Sequence, residues 1–137
     1  MQLPPDRFKI GEVYRYSYLW SREALVGEES GRKDRPACIV FKFSGEADLL
    51  LIYPITTKQP ASDRLAIEVP TGERKLCGLD TRSWIILDEA NSTQVSNAYD
   101  FASFSPLGRF SAAFVAQVQE LAKTAVKTRR LNQVTRT

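Results

Sequence analysis

The sequence contains no histidine, only two cysteines and no long apolar run, and each of these shortages excludes a class of function. Without histidine, acid–base catalysis by an imidazole is impossible. A zinc site needs about four nitrogen or sulfur ligands, which two cysteines cannot supply. No apolar run approaches the roughly 20 residues that a membrane-spanning helix requires. We therefore expect a protein without a zinc site, without histidine catalysis and without a membrane-spanning helix.

The cysteines and the first residues of the chain both indicate a cytoplasmic protein. Cys38 lies within an apolar run, where buried thiols are common, and structural disulfides are rare in cytosolic proteins. Residues 1–6 lack the order of charged and then apolar residues that marks a secretory signal peptide. We expect reduced cysteines and a cytoplasmic location.

A chain of 137 residues with 43% hydrophobic and 26% charged residues is typical of one globular domain. Its net charge of +3 is unevenly distributed. Residues 123–137 hold five basic residues and no acidic one, so the rest of the chain carries a net charge of −2. The body is therefore not a polyanion binder of the strongly basic type. We predict an N-terminal arm over residues 1–10, one domain over 11–126 and a basic flexible tail over 127–137.

Residues 13–20 alternate aromatic and other side chains with a period of two, which predicts a half-buried strand. The aromatic residues on one face of this strand are Tyr14, Tyr16, Tyr18 and Trp20. Such a row either packs into a core or forms a platform on which bases stack. The core interpretation is favoured for most of them. Trp20, next to a polar loop, is the best candidate for contact with a ligand.

Several further segments are typical of strands, and one is typical of a helix. Short β-rich runs predict strands over 37–43, 49–55, 65–69 and 83–87, with one more short strand within 98–104. Residues 70–73 have the composition of a turn, and 88–97 are predicted as a polar connection. Apolar residues recur at helical spacing after Ser111, which can cap a helix. This order predicts an α+β, mainly β protein: a small barrel or sandwich with a C-terminal helix.

Two polar loops at strand ends hold most of the side chains that could act together. The first runs from Gly27 to Pro36, and the second starts at Thr56. Their candidate groups are the carboxylates of Glu28 and Glu29, the cations of Arg32, Lys33 and Arg35, and the hydroxyls of Thr56 and Thr57. Pro36 restricts the backbone of Arg35 to extended conformations, and an arginine held in this way suits bidentate phosphate recognition.

This set of groups fits the cleavage of RNA by its own 2′-hydroxyl, which needs neither a metal nor an external nucleophile. A carboxylate can take the hydroxyl proton if its pKa is raised toward neutrality. Arginine and hydroxyl donors can stabilise the charge that develops on the phosphate oxygens. The alternative is a charged loop that is only solvated, because most loops of this composition have no catalytic role.

Four short motifs also follow one another along the chain. They are Gly11-Glu12-Val13-Tyr14, then Gly27-Glu28-Glu29 with Arg35-Pro36-Ala37, then Pro54-Ile55-Thr56-Thr57, and finally Leu79-Asp80 with Ser83-Trp84-Ile85. Over about residues 11–121 the chain resembles the PemK/MazF family of toxins from type II toxin–antitoxin systems. The resemblance implies an SH3-like small β-barrel of the CcdB-like fold with a C-terminal helix, which acts as a homodimer.

The same resemblance implies growth inhibition by an mRNA interferase. Such an enzyme is a metal-independent, sequence-specific endoribonuclease that cuts single-stranded RNA and leaves 2′,3′-cyclic phosphate and 5′-hydroxyl ends. The resemblance also implies a cognate antitoxin whose C-terminal segment occupies the RNA groove. It implies no cofactor.

Carried over residue by residue, the resemblance implies that Arg35, Thr56 and Glu29 are catalytic. Five further residues are candidates for substrate binding: Glu28, Arg32, Lys33, Thr57 and Trp20. The family usually has its glutamate one residue closer to the arginine than here, since Glu29 lies six residues before Arg35. Both Glu28 and Glu29 therefore remain candidates for the family's glutamate.

Two other functions fit the same sequence. A barrel of this kind could act without cutting RNA, by inhibiting a large enzyme such as DNA gyrase. It could also be a non-catalytic RNA-binding module that uses Tyr16, Tyr18 and Trp20 for stacking.

Overall fold

A computed structural model of the chain describes residues 7–25, 34–45, 48–97 and 99–136. Within these ranges the strands are β1 (Glu12–Tyr16), β2 (Arg35–Phe43), β3 (Leu49–Thr56), β4 (Ala66–Glu68), β5 (Trp84–Ile86), β6 (Glu89–Gln94), β7 (Gly108–Arg109) and β8 (Asn132–Thr135). The α-helices are α1 (Ser21–Ala24), α2 (Thr71–Leu76) and α3 (Ala112–Lys127). None of these described helices is long and apolar enough to cross a membrane.

β3 lies at the centre of the sheet because most of its side chains are apolar and buried. It pairs antiparallel with β2 along one edge, and along the other edge its first half pairs with β6 and its last two residues with β5. β1 and β7 extend the sheet beyond β2, and β4 extends it beyond β5. The result is a curled, mainly antiparallel half-barrel. This confirms the prediction of a mainly β protein with a long helix toward its C-terminus.

One group of buried side chains lies between the sheet and α3. It includes Val40, Tyr53, Ile85, Phe114 and Val118. The helix begins where the sequence predicts, because the Ser111 hydroxyl accepts a hydrogen bond from the Phe114 backbone N–H at 3.2 Å. This packing holds α3 against the curled sheet.

A second buried group contains many aromatic side chains and shows that the alternating aromatic residues of 13–20 pack into the core. Its aromatic members are Phe8, Tyr14, Tyr16, Tyr18, Trp20 and Phe101. The rings of Tyr16 and Phe101 meet edge to face, with centroids 4.9 Å apart. The core interpretation is confirmed, and a stacking platform made from Tyr16 and Tyr18 is wrong because both side chains are buried.

The predicted polar connection over 88–97 is wrong, because most of it forms β6. The side chains of Glu89, Asn91, Ser92 and Thr93 are buried despite their polarity. Burial of such groups is tolerated when hydrogen-bond partners meet them, and those partners come from distant segments such as Leu19 and Arg64. Of the strand predicted within 98–104, the described residues 99–104 form one isolated bridge, between Phe101 and Tyr16.

The prediction of a flexible tail does not hold for residues 132–136. β8 pairs in parallel with β6, so its backbone groups are bonded within the sheet. Arg136, only 4% exposed, forms an ion pair with Asp100 at 2.6 Å and donates a hydrogen bond to the Ser17 carbonyl at 2.6 Å. Arg136 is therefore a buried, ion-paired residue and not part of a solvated basic tail.

The prediction of a turn at residues 70–73 is also wrong. Pro70 is the N-cap of α2, and the helix begins at Thr71.

Candidate functional site

An open cleft with a volume of about 620 Å³ lies where β2 begins and β3 ends. The two strands are antiparallel, with Ala37 opposite Pro54, so the start of one and the end of the other meet at the same edge of the sheet. The cleft is lined by Trp20, Arg22, Arg35, Thr56, Thr57, Lys58, Gln59, Pro60, Ala61, Arg64 and Ile86. The structure therefore brings together four of the residues singled out in the sequence: Trp20, Arg35, Thr56 and Thr57.

Arg35 is the first residue of β2 and pairs with Tyr16 of β1. Its guanidinium carbon lies 5.0 Å from the centroid of the Trp20 ring, and its Nε atom is buried with no hydrogen-bond partner among the described residues. Burial lowers the pKa of Arg35, an effect that the carboxylate of Glu23 opposes and the cation of Arg22 reinforces. A cation in such a partly dry position attracts an anion more strongly than it would in bulk water.

Thr56 ends β3 opposite Trp84 of β5. Its Oγ1 accepts a hydrogen bond from the Lys58 backbone N–H at 3.1 Å. Because the oxygen serves there as an acceptor, the hydroxyl hydrogen remains available for donation to a bound group. Thr57 adds a second hydroxyl to the wall of the cleft.

Trp20 lines the cleft, but its side chain offers little open surface. The residue is only 6% exposed, and its ring meets the Tyr18 ring edge to face at 5.1 Å. The guanidinium carbon of Arg22 lies 4.8 Å from the Trp20 ring centroid, close to the corresponding distance for Arg35. The ring therefore attracts two guanidinium cations through its π electrons. It does not present a broad free face to a base.

Three cationic lining residues were missed by the sequence analysis: Arg22, Lys58 and Arg64. Arg64 is held by two carboxylates, since its Nη2 lies 2.7 Å from Asp88 Oδ1 and 2.9 Å from Glu89 Oε2. The hydrogen bonds that Arg64 donates to the Asp88 carboxylate raise the pKa of Arg64, which burial alone would lower. Lys58 and Arg64 belong to the polar loop that follows β3, so their position in that loop was the available signal.

Four predicted site residues lie outside the described residues: Glu28, Glu29, Arg32 and Lys33. The described lining of the cleft contains cations, hydroxyls, an amide and apolar groups, and no carboxylate. Within the described ranges, no group of three or more histidine, cysteine, aspartate or glutamate side chains is placed to hold a metal ion. Both cysteines are buried free thiols.

The described cleft is suited to an anion. The guanidinium groups of two of its arginines both contact the Trp20 ring, and a lysine and two threonines line the same cleft. A third arginine, Arg64, is already paired with Asp88 and Glu89. Phosphate groups are recognised by such combinations of guanidinium and hydroxyl donors. No protein-family model matches this sequence, and a search of curated proteins gives no match.

Proposed function

We propose that this protein is an endoribonuclease that cuts single-stranded RNA through attack by the 2′-hydroxyl, as the toxin of a toxin–antitoxin pair. The observation that supports it best is the meeting of Arg35 and Thr56 in one cationic cleft, although 21 positions separate them in the sequence. The four ordered motifs that resemble the PemK/MazF family supply the second support and the expectation of an SH3-like barrel.

The proposed reaction needs no nucleophile from the protein. The O2′–P bond forms while the P–O5′ bond breaks, which gives a 2′,3′-cyclic phosphate and a free 5′-hydroxyl. Negative charge develops on the non-bridging oxygens as the phosphorus becomes five-coordinate. Donors fixed in advance around these oxygens lower the barrier because they need not reorganise during the reaction.

Arg35 is assigned to the non-bridging oxygens. Its planar guanidinium can donate two parallel hydrogen bonds to a phosphate. Trp20 limits the positions that the guanidinium can take, and partial burial strengthens its field. Arginine is a poor formal acid, with a pKa above about 12, so its role is to stabilise charge.

Thr56 is assigned to the same phosphate as a hydroxyl donor. Its Oγ1 already accepts a hydrogen bond from the Lys58 backbone N–H, and its O–H group is assigned to donate to the phosphate. The proton of the 2′-hydroxyl must go to a base, and Glu29 is proposed for this step, with Glu28 as the alternative. The leaving 5′-oxygen must gain a proton, which water or the protonated base can supply.

The remaining cations are assigned to the RNA backbone on either side of the scissile bond. Arg22 and Lys58 line the cleft, and Arg32 and Lys33 belong to the same polar loop of the sequence as Arg35. Phosphate contacts of this kind give affinity that falls with salt and carries little sequence information. We further propose that the protein acts as a homodimer in the cytoplasm and that its antitoxin covers this cleft with an acidic and apolar segment.

The test is to incubate the purified protein with a long single-stranded RNA in EDTA and to map the ends of the fragments. We expect discrete cuts with 5′-hydroxyl ends. Arg35→Ala and Thr56→Val should each slow cleavage by about 10²–10³-fold, as for the loss of one donor to a developing oxyanion. Arg109→Ala is the matched control, because Arg109 lies outside the cleft and donates to the Ile10 carbonyl.

Intact RNA across substrates of varied sequence would contradict the proposal. Salt-sensitive retention of RNA without cleavage would favour a binding module. Cleavage that persists undiminished in Arg35→Ala would show that the activity does not come from this cleft.

A further inference from the structure

Glu89, the first residue of β6, is a charged side chain in an interior position, with 2% of the residue exposed. A buried carboxylate is costly unless donors surround it. Its Oε1 accepts hydrogen bonds from the Tyr18 hydroxyl at 3.2 Å and the Ser21 backbone N–H at 3.0 Å. Its Oε2 accepts from Arg64 Nη2 at 2.9 Å and the Ser21 hydroxyl at 3.4 Å. Both oxygens are bonded, and Arg64 supplies the counter-charge.

Two of these partners, Tyr18 and Ser21, lie on either side of Trp20 in the sequence. Tyr18 lies two residues before it and packs against its ring. Ser21 follows it directly and begins α1, whose first turn is closed by hydrogen bonds from the N–H groups of Glu23 and Ala24 to the Trp20 carbonyl, at 2.9 and 3.0 Å. The backbone of Trp20 is therefore fixed on both sides through one carboxylate.

The next residue on the same face of β6 continues this support. Asn91 Oδ1 accepts a hydrogen bond from the Leu19 backbone N–H at 2.9 Å, and Asn91 Nδ2 donates to the Leu19 carbonyl at 2.7 Å. Alternate residues of a strand lie on one face, so Glu89 and Asn91 together bind residues 18–21. The wall of the cleft that carries Trp20 is thus attached to β6.

We propose that Glu89 is a positioning residue of the cleft. It fixes Trp20 through Tyr18 and Ser21, and thereby the guanidinium of Arg35, which contacts the Trp20 ring. It also fixes Arg64, a second lining residue, together with Asp88. Glu89 acts through these side chains and does not touch the bound RNA. The catalytic part of this inference rests on the proposed function, whereas the structural part does not.

The test variant is Glu89→Gln, which keeps the size of the side chain but removes its charge and replaces one acceptor oxygen by a donor. Glu68→Gln is the matched control, because Glu68 is an exposed carboxylate that pairs with Arg82 through two hydrogen bonds. Both changes are made in a Trp84→Phe background, where Trp20 is the single tryptophan.

The first readout is the fluorescence of Trp20. In the Glu89→Gln variant we expect emission at longer wavelength and a severalfold increase in quenching by acrylamide, under conditions where circular dichroism shows a folded protein. Glu68→Gln should leave both unchanged. Emission and quenching that stay at the parental values in Glu89→Gln would overturn the proposal.

The second readout is single-turnover cleavage of RNA, measured with and without Arg35→Ala. Displacement of a catalytic group by about 1 Å can cost 10²-fold in rate. We therefore expect Glu89→Gln to lower the maximal single-turnover rate constant by about tenfold or more, with little change in the enzyme concentration that gives half of that rate. In the Arg35→Ala background the same change should cost much less than in the wild type, because Glu89 affects the reaction mainly through Arg35 and only secondarily through Arg64. Losses that multiply independently would overturn the proposal.

The two readouts also separate the two proposals. If the wild-type protein cuts no RNA, the proposed function fails, and the fluorescence of Trp20 still decides whether Glu89 positions the cleft. If RNA is cut but Trp20 is unaffected by Glu89→Gln, the positioning role fails and the proposed function stands.

Discussion

The guanidinium carbon of Arg35 lies 5.0 Å from the centre of the Trp20 ring, although the two residues belong to different segments separated by a polar loop. A cation over an aromatic face gains about 0.5–2 kcal/mol, more where water is excluded. Since Trp20 is itself fixed in the core, the contact restricts the guanidinium to a small region of the cleft that Thr56 also lines. An arginine placed in this way loses less freedom when it binds a phosphate.

The first prediction concerns Trp20. Trp20→Phe keeps a ring beneath Arg35 and should lower the single-turnover rate of RNA cleavage by less than about tenfold. Trp20→Leu removes the π surface and should lower it by more than about tenfold. The control is Trp84→Phe, because Trp84 carries Arg82 at 5.0 Å in the same manner but does not line the cleft. A folded Trp20→Leu variant with the wild-type rate would show that the ring does not position Arg35.

The second prediction concerns Arg64, a partly exposed side chain that forms ion pairs with the buried carboxylates of Asp88 and Glu89. Arg64→Met keeps the length of the side chain but leaves two buried carboxylates without a counter-charge. Removing one partner of a fully buried pair costs about 3–5 kcal/mol. Because Arg64 is partly exposed and water screens its charge, we expect the free energy of unfolding to fall by a smaller amount, about 2 kcal/mol. Urea denaturation measures this loss.

Arg82→Met is the control for that experiment. Arg82 also pairs with a carboxylate, that of Glu68, but both side chains are exposed, and exposed pairs contribute little. We expect no measurable change in its urea midpoint. Equal effects of Arg64→Met and Arg82→Met would mean that burial does not make the Arg64 pair important.

The third prediction concerns Arg136, whose guanidinium is bonded to Asp100, the Ser17 carbonyl and Asn91 Oδ1. Arg136→Met should lower the free energy of unfolding by about 3 kcal/mol, because it removes the buried guanidinium and leaves the partly buried Asp100 carboxylate without its counter-charge. Lys127→Met, at the exposed end of α3, should be close to neutral. Deletion of the basic C-terminal residues therefore tests folding before it tests function, and an unaltered midpoint in Arg136→Met would contradict the buried role.

The placement of Arg35 and Thr56 in the same region was predictable from the sequence, because Arg35 begins one apolar strand and Thr56 ends the next. β2 and β3 are read directly from their apolar runs, and consecutive strands joined by a short turn pair antiparallel. That geometry alone brings the start of β2 next to the end of β3. The capped helix α3 was predictable for a similar reason, since Ser111 and the apolar spacing after it are local signals.

β6 and β8 were not predictable, because their stability comes from distant partners. Glu89 and Asn91 look like residues of a solvated connection until Arg64, Tyr18 and Leu19 are brought to them by the fold. Arg136 resembles the other charges of a basic tail until Asp100 meets it. Local composition records propensity, whereas the burial of a polar group depends on pairing across the whole chain.

The last prediction concerns Tyr53, which is fully buried in β3 and whose hydroxyl has no hydrogen-bond partner among the described residues. An unpaired buried polar group costs about 1–3 kcal/mol. Tyr53→Phe removes this group without changing the ring, which meets the Phe41 ring edge to face at 6.2 Å. We therefore expect the variant to be more stable than the wild type at neutral pH by about 1 kcal/mol, as measured by urea denaturation.

The same side chain makes stability depend on alkaline pH. Burial raises the pKa of Tyr53 from 10.0 to about 12, so below pH 10 both the folded and the unfolded protein keep this proton. Between about pH 10 and 12 the unfolded chain loses the proton while the folded one retains it, and stability falls as pH rises. Tyr53→Phe should lose less stability over this interval than the wild type or Tyr99→Phe, which removes an exposed hydroxyl. Identical pH slopes for all three would show that Tyr53 ionises as easily in the folded protein as in the unfolded chain.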